Sequence, residues 1–245
     1  MKLSKIITLN VLFTVAFSLY LISCEKKVPE IASIDTDFSN SATVQVIDAS
    51  VKSARTFIYI DNVPVSGAAI AFGGVYPGTA YALKVAAGSR SFLIKDTATV
   101  TTQLPLNFTQ TFDAGKSYTI FMYDTLTSPK QLTVVNNIVI PADTTSRLRF
   151  ANFIYNTTAV PAVDVYSYRR GPAPVFTNIA TGTVTDFIPY ASGLTDTLYV
   201  YATGTTSPLL VKSLVNSLTP SRSYTSVYNG SYKSTTKTVT TFATY

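Results

Sequence analysis

From residue 42 onward the chain repeats itself, and this constrains its fold more than any other feature. Short runs rich in Val, Ile, Thr, Tyr and Phe are separated by turn residues such as Gly73-Gly74, Pro77-Gly78, Gly88 and Gly115, the pattern of strands joined by tight connections. Ser117-Tyr118-Thr119 recurs as Ser223-Tyr224-Thr225, 106 residues on. Residues 43–48 align with 147–152 at an offset of 104, Ile58-Tyr59 with Val165-Tyr166 at 107, and Tyr81 with Tyr190 at 109. Matches that keep their order at nearly constant offset indicate two copies of a β domain of ~100 residues, each expected to fold on its own. No segment carries a helical period. The expected fold is all-β: two tandem antiparallel β-sandwich domains, immunoglobulin-like or transthyretin-like, at residues 41–140 and 147–245, joined by a linker at 141–146.

The N-terminus addresses location. Lys2 and Lys5 precede an apolar stretch over residues 6–22, and Leu21-Ile22-Ser23-Cys24 closes it. This arrangement resembles a bacterial lipoprotein signal peptide, residues 1–23, cleaved between Ser23 and Cys24. The resemblance implies that Cys24 becomes the mature N-terminus and carries a thioether-linked diacylglycerol and an acylated amino group. Several chains anchor durably where one would not. An uncleaved transmembrane span fits less well, because ~17 residues is short for a bilayer and Thr8, Asn10, Thr14 and Ser18 interrupt the stretch. Residues 24–40 carry charge and Pro29 without periodicity, which suits a flexible tether. The expected location is the cell envelope, lipid-anchored, at the outer membrane, with either its surface or its periplasmic face open as alternatives.

Composition removes several functions. There is no histidine, the commonest proton-transfer residue near neutral pH and a frequent zinc ligand. Both glutamates, Glu25 and Glu30, fall beside the anchor, so an enzyme is not expected. No cofactor is expected, and no metal, since Asp35-Thr36-Asp37 in the tether supplies too few oxygens for calcium. One cysteine rules out an intrachain disulfide. Without Lys2 and Lys5, 17 of the 19 basic residues face 13 acidic ones. Only Lys26-Lys27 and Arg169-Arg170 are adjacent pairs, which is not the basic stripe that nucleic acid requires.

The runs Ala42-Thr43-Val44-Gln45-Val46-Ile47-Asp48-Ala49-Ser50, Phe57-Ile58-Tyr59-Ile60-Asp61-Asn62 and Pro161-Ala162-Val163-Asp164-Val165-Tyr166 resemble the domain-of-unknown-function 4397 family over most of residues 41–245. The resemblance implies exported β domains, often in tandem behind a lipoprotein signal and common in Bacteroidetes-type envelopes, with no established activity. The chain departs from the family where a histidine often follows the first strand: Asp48 and Asn152 stand there, and Val51-Lys52-Ser53-Ala54 replaces a Pro-Asp-Ala-Pro-like loop.

Sixteen tyrosines and fourteen phenylalanines accompany the absence of tryptophan. If residues 198–202 form a strand, Tyr199 and Tyr201 share one face, a flat apolar surface with hydroxyls that suits glycans or protein partners. Packing across strands is the commoner use of tyrosine. Asp61, Asp164 and Asp196 read as turn or solvent-face residues. The leading expectation is a non-enzymatic envelope lipoprotein binding a glycan, a matrix component or a surface protein. The alternative is a structural assembly subunit, by analogy with lipid-anchored two-domain pilins, in which cleavage at Arg55 would remove the first strand and leave a groove for a neighbour's strand.

Overall fold

In the computed structural model, residues 39–245 are described, so the signal and nearly all of the tether lie outside the described residues. The first copy contains β1 (Ser41–Asp48), β2 (Phe57–Ile60), β3 (Val63–Pro64), β4 (Val75–Tyr76), β5 (Leu83–Ala86), β6 (Gly88–Lys95), β7 (Leu106–Phe112), β8 (Ser117–Thr125) and β9 (Ser128–Val135). The second contains β10 (Ser146–Tyr155), β11 (Val163–Ser167), β12 (Pro174–Ile179), β13 (Thr183–Val184), β14 (Ile188–Tyr190), β15 (Asp196–Ala202), β16 (Val211–Val215), β17 (Ser223–Ser231) and β18 (Thr238–Thr244).

Each copy is a sandwich of two sheets, and their topologies match strand for strand. In the first copy one sheet runs β4-β1-β8-β9, with β5 also on β1, and the other runs β3-β2-β6-β7. In the second the orders are β13-β10-β17-β18, with β14 also on β10, and β12-β11-β15-β16. Antiparallel pairs dominate, but β1–β8 and β10–β17 are parallel. Such pairs need long crossovers, which the outer-sheet strands supply.

Register tests the repeat residue by residue. Val44 lies beside Tyr118 and Leu148 beside Tyr224, so the offsets of 104 and 106 match equivalent positions. The Tyr81–Tyr190 match does not. Tyr190 pairs with Ser146 as Val85 pairs with Ala42, which makes Val85 the counterpart of Tyr190. Tyr190 is buried, whereas Tyr81 is exposed.

Three apolar clusters result. Ala42, Val44, Val46, Ile58, Phe92, Ile94, Tyr118 and Ile120 fill the first sandwich. Leu148, Phe150, Val163, Val165, Leu198, Val200 and Tyr228 fill the second. The third lies between the copies, where Ile47, Phe121, Phe153, Val227 and Phe242 project from the opposite faces of the β1 and β10 sheets. Strand alternation sends one set of side chains into each sandwich and the other into this junction, so β1 and β10 are buried on both faces. The Phe121 and Phe153 rings stack across it at 4.8 Å.

Polar contacts at the junction follow an approximate two-fold pattern. Gln45 Nε2 donates to the Ala243 carbonyl at 3.0 Å, and Tyr245 N donates to Gln45 Oε1 at 3.0 Å. At the equivalent place in the second copy, Arg149 Nη2 donates to Asn136 Oδ1 at 2.7 Å and Thr119 Oγ1 at 3.1 Å. Each copy's central strand thus reaches the last sheet strand, or the residue just beyond it, in the other copy, as in an isologous dimer. The described residues, 39–245, accordingly belong to one compact unit.

Candidate functional site

The outer sheet of the second sandwich carries the strongest candidate. Val163, Val165, Leu198 and Val200 point into the core, so alternation turns Tyr166, Tyr199 and Tyr201 outward. Tyr166 stands directly opposite Tyr199, and its ring meets that of Tyr201 edge-on, with centroids 5.6 Å apart. These three tyrosines, with Tyr168, Pro172 and Thr206, line a groove of about 360 Å³, within the range of small-ligand sites. None of its lining residues is charged.

Two buried carboxylates hold the loops that wall this groove. Asp164 accepts from Asn178 N at 2.7 Å, Gly204 N at 2.8 Å and Thr203 Oγ1 at 3.2 Å, which fixes the turn leading to Thr206. Asp196 accepts from Ser167 Oγ at 2.5 Å, Tyr190 OH at 2.6 Å, Thr197 N at 2.6 Å and Arg169 N at 3.2 Å. Tyr168 N bonds the Thr197 carbonyl at 2.9 Å, so the Tyr168 segment is tied to the same corner. Burial pushes the Asp196 carboxyl up, but the hydrogen bonds from Ser167, Tyr190, Thr197 and Arg169 outweigh it and hold the group below its ordinary value. Burial and the hydrogen bond to Asp196 push the Tyr190 hydroxyl up. The reading of Asp164 and Asp196 as turn or solvent-face residues is therefore corrected: both are only 5% exposed and accept hydrogen bonds from the loops beside them. Asp61 does sit in a turn, with φ +49°, and pairs with Arg90 at 3.1 Å.

The first copy lacks this groove. By register, Tyr59, Leu93 and Lys95 occupy the places of Tyr166, Tyr199 and Tyr201, and Lys95 Nζ lies 5.2 Å from the Tyr59 ring centroid. Asp61 stands where Tyr168 does. An aromatic face has become a mixed apolar and charged one.

Other residues singled out by the sequence fall elsewhere. Asp48 is fully buried, accepting from Ser50 N at 2.9 Å and Thr56 Oγ1 at 2.7 Å, and desolvation raises its carboxyl despite those bonds. Asn152 repeats its role, accepting from Ile154 N at 3.2 Å and donating to the Ile179 carbonyl at 2.9 Å. Beside each, a glycine N–H donates to the same residue's carbonyl at 2.7 Å, from Gly73 (φ +78°) and Gly182 (φ +80°), a conformation glycine adopts without strain. Arg55 has a half-exposed side chain 3.4 Å from Asp96. Ser23 and Cys24 lie outside the described residues, as do Glu25, Glu30, Asp35 and Asp37.

From the sequence, Tyr199 and Tyr201 share a face but neither is assigned as a ligand contact, and Tyr166 and Tyr168 are not singled out, because pairing between β11 and β15 spans more than thirty residues. Nor are Gln45 and Arg149, although a charged residue inside the apolar run Leu148-Arg149-Phe150-Ala151 was a visible signal.

No curated protein matches the chain. A family model described as Domain of unknown function (DUF4397) matches residues 42–166, spanning the first sandwich, β10 and most of β11. That match covers about half of the sequence, and the chain belongs to this family.

Proposed function

We propose that this protein is a non-enzymatic, lipid-anchored component of the bacterial cell envelope that binds a neutral glycan, or a surface protein bearing one, on the tyrosine face of its second sandwich. The observation that carries the reading is the uncharged groove of Tyr166, Tyr168, Tyr199 and Tyr201, walled by loops that Asp164 and Asp196 brace. Tyrosine offers a flat apolar face for a sugar ring and a hydroxyl for its edge at low entropic cost. Bracing the walls reduces the ordering that binding must impose. Leu21-Ile22-Ser23-Cys24 supports attachment through Cys24, at the outer membrane. Screening the full chain against an array of neutral and acidic glycans tests the proposal: binding of neutral glycans that disappears in Tyr201→Ala agrees with it, and an array with no such binding contradicts it.

The assembly-subunit reading has weaker support. Arg55 lies accessibly between β1 and β2, but β1 supplies Ala42, Val44 and Val46 to one core and Ile47 to another. Excising it would open both.

A further inference from the structure

A second cavity, of about 480 Å³, opens beside the junction between the copies, lined by Arg147 and Arg149 together with Val134, Val139, Val184 and Phe187. We propose that it binds an amphipathic monocarboxylate, with the carboxylate on Arg149 and the apolar body along the valines and Phe187.

Arg149 is only 2% exposed. Its hydrogen bonds run from Nε to Thr225 Oγ1 at 2.8 Å and from Nη2 to Thr119 Oγ1 and Asn136 Oδ1, all neutral oxygens. Among the described residues no carboxylate lies within ion-pair distance of it. A buried guanidinium without a counter-ion is costly. The Phe187 and Phe121 rings, 4.7 and 5.9 Å from its central carbon, offset part of that cost. Burial lowers the guanidinium to about 9, so it stays charged near neutral pH.

The junction itself does not require this charge. Gln45 holds the equivalent position in the first copy, is equally buried, and is satisfied by the Tyr81 and Ala243 carbonyls and Tyr245 N. A cation where its counterpart is neutral, and where a cavity meets it, is the arrangement that receives an anion, and a carboxylate matches the planar guanidinium. Arg147 lies two residues along the same strand face and adds a second positive charge, although its Nη1 also donates to Thr145 Oγ1 at 2.6 Å and the Ser146 carbonyl at 3.2 Å. Asp186 is the one acid in the lining, leaving the cavity net positive. Its apolar walls favour an organic anion over an inorganic one.

Calorimetric titration of the full chain with octanoate and with 1-octanol tests this. Octanoate is expected to bind in a saturable one-to-one manner, at least about tenfold more tightly than octanol. Val139 is 67% exposed at the cavity, so Val139→Glu leaves the core untouched and should weaken octanoate by a similar factor. Arg149→Gln copies the residue found in the other copy and should abolish octanoate binding while Tyr201→Ala leaves it unchanged, which separates this site from the tyrosine face. Absence of saturable octanoate binding, equal affinity for octanol, or full binding by both Val139→Glu and Arg149→Gln would overturn the proposal.

Discussion

Asp48 and Asn152 show one position solved twice with different chemistry. Both lie on a central strand and accept from the backbone N–H two residues on, but only Asp48 brings a carboxyl into a site where desolvation raises it. A raised carboxyl stabilises the fold fully below its ordinary value of 3.8 and loses that contribution as pH rises through the folded value. At pH 7, Asp48→Asn should therefore leave thermal stability unchanged or higher, whereas Asp48→Ala strands Ser50 N and should cost about 1–3 kcal/mol in denaturant unfolding. Asp196 has the opposite sign. Its folded value is lowered, so its stabilisation is present above the ordinary 3.8 and fades as pH falls through the folded value. Wild type should lose stability on acidification below about pH 4 more steeply than Asp196→Asn, as read from midpoints of urea unfolding across pH. Neither role was legible from sequence, because an aspartate beside turn residues looks the same whether it faces solvent or folds inward. Only the long-range pairing that places Ser167 and Tyr190 around Asp196 decides it.

Strands were the most legible elements. The β-branched and aromatic runs at residues 43–48 and 56–63, and the one that begins near Tyr118, contain or overlap β1, β2 and β8, and the offsets of 104 and 106 reflect real equivalence. The two-residue strands β3, β4 and β13 are too short for any period to register. Alternation was visible in β1, but its meaning was not: the face a simple sandwich would give to water instead enters the junction, which is why Ile47 and Phe121 are fully buried. Phe153 stacks there on Phe121 and meets Tyr123 at 4.9 Å. Phe153→Ala should cost about 3–5 kcal/mol in equilibrium unfolding; a loss under 1 kcal/mol would mean that the junction contributes little.

At the scale of the molecule, two sandwiches of the same topology have diverged in what they present. The first covers its tyrosine with Lys95, and the second leaves four tyrosines lining an uncharged groove. The anchor reading adds the remaining expectation: Cys24→Ala should shift the protein from membrane to soluble fractions or leave unprocessed precursor, and membrane retention of a cleaved form would refute lipidation. The repeat was legible because related strands keep related sequences. The groove was not, since it depends on register and loop bracing rather than on any motif. The most direct measurement compares binding of the full chain to its best array glycan between paired alanine variants in the two copies, Tyr199→Ala with Tyr201→Ala against Leu93→Ala with Lys95→Ala. A glycan site on the tyrosine face requires a loss of about thirtyfold or more for the tyrosine pair and wild-type affinity for the other; equal losses, or none from the tyrosine pair, would rule that site out.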